Sequence, residues 1–135
     1  GWGKGNHSKA MPTLKRSTRI SDRVSWPWVK KSVQWNGTRS CWIGHARQGS
    51  TVDRRFAAVS LKHIANGENM GCGMYGTGKR TVVRIIRMWQ AEKAWNGPHW
   101  RQIKDPEFKS VGVGVARYGN RKTQLVMNFY GKRLD

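Results

Sequence analysis

The chain has 135 residues, enough for one hydrophobic core and too few for two. Apolar residues make up 37% of it and include 8 Trp, so burial can offset the entropy of ordering and wholesale disorder is not expected. Lys and Arg number 26 against 7 Asp and Glu, a formal net charge of +19. Such a charge predicts a surface that attracts nucleic acid, anionic lipid or acidic polysaccharide. No window approaches the roughly 20 consecutive apolar residues of a membrane-spanning helix, so no transmembrane segment is expected.

The chain begins with a stretch that shows no clear period. Residues 1–20 are basic and polar, which predicts an arm that is either loosely attached or wraps over a single domain formed by residues 21–135. Helix signals begin at Ser25, a candidate N-cap, and continue through Pro27 near the first turn. Apolar residues then recur at helical spacing as far as Gly37, which predicts a short amphipathic helix.

A brief extended segment and a second helix are predicted next. The segment "SCWIGH" ends at His45, and the helix is expected from about Thr51 to Ala65, with Asn66-Gly67 as its stop signal. The tetrapeptide "GENM" therefore begins just past a helix end. A glycine-rich loop, "GCGMYGTGKR", is expected to follow it.

The C-terminal half carries the clearest periodic patterns. The segment "TVVRIIRMWQAEKAW" has Val82, Ile85, Ile86 and Trp89 on one face and predicts the strongest helix in the chain, ended by "NGP". The segments "KSVGVGVARYG" and "KTQLVMNFYG" alternate apolar with small or polar residues, which predicts a terminal antiparallel hairpin. Helices precede strands, so the fold class is α+β.

The chain has only 7 Asp and Glu, so the surroundings of each carboxylate can be considered in turn. Glu92 lies three residues after Trp89, so it extends the apolar face of the predicted helix instead of pointing into solvent. One interpretation is an ion pair or hydrogen bond with one of the many Arg residues. The other joins Glu92 to Glu68, His45 and His99 where helix ends and loops meet. Two Glu and two His could bind zinc or another divalent cation, or be held together by Glu–His hydrogen bonds.

Several short motifs together resemble one known family. "GENM", "MWQAEKAW", "PHWRQI", "VGVGVARYG" and "VMNFYG" occur in the order and approximate spacing of the CAP superfamily, the cysteine-rich secretory, antigen 5 and pathogenesis-related proteins. The resemblance extends back through "VSWPWVKKSVQWNGTRSCWIGH" and covers about Ser25 to Gly131. It implies an α-β-α sandwich with a small antiparallel sheet flanked by helices.

The resemblance also implies a site. It places the cleft tetrad of the family at His45, Glu68, Glu92 and His99, with Asn69, Trp100, Arg101 and Gln102 next to the cleft. In several relatives this cleft holds a divalent metal. The usual family sequence at the second histidine is His-Tyr-Thr-Gln, and the Arg101 that stands here instead of Thr adds a positive charge that opposes a cation and favours an anionic ligand.

The two cysteines lie at matching distances from the proposed site. Cys41 is four residues before His45 and Cys72 is four residues after Glu68, so a contact between His45 and Glu68 would bring both sulfurs close. We therefore expect a Cys41–Cys72 disulfide, with two buried thiols as the alternative. With the secretion typical of the family, this favours an extracellular location.

Three classes of function fit these features. The first is a secreted CAP-type binding module for anionic lipid, glycan or cell-wall material. The second is a polyanion or nucleic-acid binder without sequence preference, because basic residues are interleaved with Trp and Tyr. The third is a structural subunit that self-associates in an extracellular assembly. No Ser-His-Asp or Cys-His arrangement is evident and the family has no general enzymatic activity, so catalysis is not expected.

Overall fold

A four-stranded sheet forms the centre of the computed structural model, which describes residues 14–36, 44–61, 64–118 and 122–134. The strands are β1 (Lys15–Arg16), β2 (Asn66–Gly73), β3 (Ser110–Tyr118) and β4 (Lys122–Tyr130), in the order β1-β3-β4-β2. β3 and β4 pair antiparallel from Ser110↔Tyr130 to Tyr118↔Lys122, which confirms the predicted hairpin. β2 pairs antiparallel with β4, so it lies at one edge of the sheet.

The first helical segment begins earlier than the sequence predicted. Ser17, not Ser25, is the N-cap, and its side chain accepts a hydrogen bond from Ile20 N. The segment runs through α1 (Thr18–Ile20), a π-helical turn (Ser21–Ser25) and α2 (Trp26–Asn36). Ser25 is fully buried, and its hydroxyl donates to Asn128 Oδ1 at 2.8 Å. The polar side chain that resembled a cap is therefore a buried hydrogen-bond donor to the sheet.

The end of the expected arm packs against the domain. β1 pairs parallel with β3, and Ile20 is fully buried. The division of the chain at residue 20 stays a prediction, because residues 1–13 lie outside the described part, as does the predicted stop at Gly37.

The second predicted helix is much shorter than expected. α3 spans Val52–Ala57, with Thr51 as N-cap, and does not reach Ala65. Ser60 has a positive φ of 66°, and Leu61 N donates to Phe56 O at 2.8 Å. This is the geometry of a Schellman motif, with Ser60 in the left-handed position that glycine usually occupies. The apolar spacing beyond Ala57 could not show that the backbone reverses there.

Two elements in the middle of the chain were not predicted. The tetrapeptide "GENM" was expected just past a helix end and "GCG" at the start of a glycine-rich loop. Together they form most of β2 instead, and Glu68, Asn69 and Met70 are buried there. A further helix, α5 (Pro98–Lys104), follows the predicted stop directly, with Gly97 as its N-cap. The stop itself is confirmed, although Asn96 rather than Gly97 takes the left-handed conformation, with a φ of 54°.

The strongest predicted helix is confirmed. α4 spans Gly78–Ala91 and continues as a 3₁₀ turn (Glu92–Trp95). Its buried positions are Thr81, Ile85, Ile86 and Trp89. Within the described residues, no helix is both long and apolar enough to span a bilayer.

Helices cover both faces of the sheet, which confirms the α-β-α sandwich. Side chains of β4 alternate between the faces. Leu125, Met127 and Phe129 pack with α4 and α5, whereas Val126 packs with Trp28 of α2. On β3, a Cβ at Gly114 would lie 2.7 Å from the Ser25 carbonyl carbon, so this glycine lets the helical segment approach the strand closely.

Candidate functional site

The buried carboxylate of Glu68 is the centre of a polar network on the α2 face of the sheet. Its side chain is fully buried, and the sheet register places it opposite Asn128 on β4. Oε1 lies 2.8 Å from His45 Nδ1. Oε2 accepts from Arg55 Nη2 at 2.7 Å and from Asn128 Nδ2 at 2.8 Å. The predicted contact between His45 and Glu68 is therefore present in the structure, and three donors surround the carboxylate.

Arg55 of α3 neutralises Glu68 and fixes the loop that carries His45. Its side chain is 10% exposed, and its guanidinium carbon lies 3.5 Å from the centroid of the Trp28 ring. Nη1 donates to the carbonyl of His45 at 3.0 Å. Burial lowers the pKa of Arg55, and the Glu68 carboxylate opposes that shift. Sequence reasoning missed Arg55, because nothing in the sequence distinguishes it from the other basic residues.

A second histidine–carboxylate pair lies where the 3₁₀ turn meets α5. Glu92 Oε2 is 2.7 Å from His99 Nδ1, and Oε1 accepts from the backbone N–H of His99 at 2.8 Å. The His99 ring stacks on Trp89 with 5.3 Å between centroids and 7° between planes. Of the two interpretations of Glu92, the hydrogen bond to histidine is therefore the one that the structure contains, and no Arg pairs with Glu92 among the described residues.

The two pairs are connected through the edge strand β2. Asn69 follows Glu68 and points to the opposite face, where its Nδ2 donates to the carbonyl of His99 at 3.1 Å. Gln102 Nε2 donates to Asn69 Oδ1 at 2.7 Å and to the Glu68 carbonyl at 2.8 Å. Asn69 is fully buried, so these bonds fix α5 against β2. Asn69 and Gln102 thus join the halves of the predicted tetrad.

The other two residues expected beside the cleft have different environments. Trp100 is 9% exposed and belongs to the core cluster under α4 and α5. Arg101 is exposed and forms no hydrogen bond or ion pair within the described residues. Its charge therefore faces solvent near the second pair.

The donor set can be compared with the needs of a divalent metal. No group of three or more His, Cys, Asp or Glu is arranged to hold a metal ion in the part of the chain that the structure describes. The oxygens of Glu68 and Glu92 already accept six hydrogen bonds, counting the backbone N–H of Trp100 at 3.3 Å. These carboxylates therefore suit the orientation of imidazoles better than direct ligation.

The cysteine prediction is only half covered by the structure. Cys72 lies on the α2 face of β2, with Sγ 3.2 Å from Tyr118 Oη, and it is not a free cysteine. Cys41 lies outside the described residues, so the pairing of the two stays a prediction.

A groove runs beside the second pair. Its volume is about 490 Å³, and it lies between β2 and the C-terminal half of α4. Apolar side chains from both elements line it, and Glu92 and His99 also belong to its lining. Two exposed apolar residues form part of the lining, Met88 at 53% and Trp95 at 67% exposure. We call this the β2–α4 groove.

Comparison with known proteins agrees with this fold. The model of the CAP, cysteine-rich secretory protein family matches residues 7–129, so the chain belongs to that family. An outer surface protein from Borrelia burgdorferi is structurally similar, with a TM-score of 0.69 at 14% identity over 96% of this chain and 86% of that one. At this identity the likeness shows the fold alone. A comparison with curated protein sequences gives no match.

Proposed function

We propose that this chain is a secreted or surface-exposed CAP-domain binding protein that recognises anionic lipid. The family is described as secretory, and the structurally similar Borrelia protein is described as an outer surface protein; both support a location outside the cytoplasm.

The observation that carries the proposal is the unneutralised charge. The chain has 26 Lys and Arg against 7 Asp and Glu, so most of its positive charge has no carboxylate in the same chain to neutralise it. The outer side of α4 exposes Arg80, Arg84 and Arg87, and α4 contains no Asp or Glu. A polyanionic surface would meet a strong attractive field there.

The β2–α4 groove favours lipid over glycan. Its apolar lining and the exposed Trp95 suit an acyl chain or the interfacial region of a bilayer, where Trp is enriched. The adjacent Glu92–His99 pair offers polar contacts to a headgroup. Glycan recognition would draw on polar side chains, which are the minority in this groove.

The proposal includes a divalent cation only as an ion bound by the two histidines, not by the carboxylates. Each histidine directs Nδ1 at a carboxylate, and each Nε2 has no hydrogen-bond partner within the described residues. His45 and His99 would be the ligands, and Glu68 and Glu92 would orient them. Native mass spectrometry with and without a chelator tests this: a mass loss of one metal ion, abolished in His99→Ala, supports the role, and identical masses contradict it.

Vesicle co-sedimentation over a series of NaCl concentrations tests the main proposal. Vesicles of phosphatidylcholine with phosphatidylglycerol should bind the protein, and binding should fall steeply as the Debye length shortens towards about 8 Å at physiological salt. Trp95→Ser should weaken vesicle binding, whereas the matched control Trp26→Ser removes another exposed Trp that does not line the groove and should not. Equal effects of the two variants would contradict the groove assignment. Tight binding of duplex DNA without vesicle binding would favour the nucleic-acid alternative.

A further inference from the structure

A second, smaller pocket lies between the first helical segment and α3, on the face of the molecule that carries Arg55. Its volume is about 260 Å³, somewhat below the roughly 300–1,000 Å³ of typical ligand sites. Val24, Pro27 and Trp28 of the helical segment supply apolar walls, and residues of α3 close the other side. We call it the α2–α3 pocket. A cavity of this size can hold a small ligand or one functional group of a larger ligand, such as a headgroup.

The charged residues of this pocket are all positive. Arg23, Lys31, Arg54 and Arg55 line it, and no Asp or Glu does. Arg55 is neutralised by Glu68, but Arg23 and Lys31 form no ion pair or hydrogen bond within the described residues. Like charges brought together repel one another, so the arrangement is disfavoured unless an anion or bulk solvent compensates it.

One donor of a side chain that lines this pocket is left without a partner. Arg55 Nε is buried and has no hydrogen-bond acceptor, although Nη1 and Nη2 of the same side chain are engaged. A buried donor without an acceptor costs about 1–3 kcal/mol. Arg54 Nη1 donates to the Gly49 carbonyl, which positions a second guanidinium in the lining.

The geometry points to a phosphate-binding site in the α2–α3 pocket, in which Arg23, Lys31 and Arg54 hold the oxyanion beside the buried Arg55. A phosphate group carries about 1.5 to 2 negative charges and three strong acceptor oxygens, which matches three cations without partners of opposite charge. The phosphate is either inorganic or part of a lipid headgroup. The site lies on a different face from the β2–α4 groove and stands or falls independently of the proposed function.

Titration with inorganic phosphate, followed by NMR of the arginine Nε–Hε signals, tests this site. Ionic strength is held constant with NaCl, so that general screening does not change. The Arg55 signal should shift and saturate. Arg23→Gln and Lys31→Gln should each raise the dissociation constant roughly tenfold, as expected for loss of a charged hydrogen bond. Both residues are exposed, so neither variant endangers folding.

Lys30→Gln is the matched control. Lys30 precedes Lys31 on α2, is also exposed, and lies over the Trp26 ring instead of lining the pocket. Lys30→Gln removes the same charge as Lys31→Gln and should leave the dissociation constant for phosphate unchanged. A shift that never saturates, or equal dissociation constants for Lys30→Gln and Lys31→Gln, would overturn the site.

Competition identifies the source of the phosphate. Vesicles of phosphatidylcholine with phosphatidic acid should displace inorganic phosphate if the natural ligand is a headgroup, and pure phosphatidylcholine vesicles should not. Saturable phosphate binding that vesicles leave intact would assign the site to a soluble phosphate.

Discussion

Replacing Glu68 with Gln keeps the shape of the buried side chain and removes its charge. The amide oxygen can still accept from Arg55 and Asn128, but Arg55 is only 10% exposed and loses its counter-charge. Breaking a buried ion pair by removing one partner typically costs about 3–5 kcal/mol. We expect the lower end, about 3 kcal/mol, because Arg55 keeps its contacts with the His45 carbonyl and the Trp28 ring.

Urea unfolding followed by Trp fluorescence measures this loss. With a denaturant slope of about 1.5 kcal/mol/M, a loss of about 3 kcal/mol lowers the midpoint by about 2 M. Asp53→Asn is the control, because Asp53 is exposed and only accepts a hydrogen bond from Asn66; it should change stability by less than about 0.5 kcal/mol.

A double-mutant cycle separates the ion pair from other effects of the substitution. Arg55→Gln alone leaves the Glu68 charge buried, whereas the double variant removes both charges together. The double variant should therefore be more stable than the sum of the single losses implies, by about 2 kcal/mol. A coupling energy near zero, or a loss below about 1 kcal/mol for Glu68→Gln, would refute the claim that Arg55 and Glu68 neutralise each other.

Three further predictions concern packing, pH and the cysteines. Gly114→Ala should destabilise the fold by about 1–3 kcal/mol, because the added Cβ meets the Ser25 backbone at 2.7 Å; unchanged urea unfolding would contradict this close packing. Burial raises the pKa of the Tyr118 hydroxyl above its ordinary value of 10.0. The neutral hydroxyl therefore stabilises the folded state fully below about pH 10, and this stabilisation is lost as pH rises through the raised pKa. The difference in unfolding free energy between the wild type and Tyr118→Phe should therefore shrink from about pH 9 to about pH 11, and a constant difference argues against it. Thiol titration of the unreduced, denatured protein should find no free sulfhydryl, and two would reject the Cys41–Cys72 disulfide.

Patterns that repeat over many residues were enough to predict the main elements. The apolar spacing of α4 reflects one long face on the sheet, and the alternation in β3 and β4 reflects successive side chains that point to opposite faces of the sheet. The four residues of the tetrad were located from their positions in family motifs. The structure pairs His45 with Glu68 and His99 with Glu92.

Only the tertiary structure decided what depends on contacts between distant segments. β2 could not be predicted because "GENMGCG" has no alternating apolar pattern; its burial comes from β4 on one side and helices on both faces. Arg55 is 13 residues from Glu68, and Asn128 is 60 residues away, so their convergence on one carboxylate leaves no local trace. A buried charge must find its partner in space, and the sequence order does not record which of many arginines that partner is.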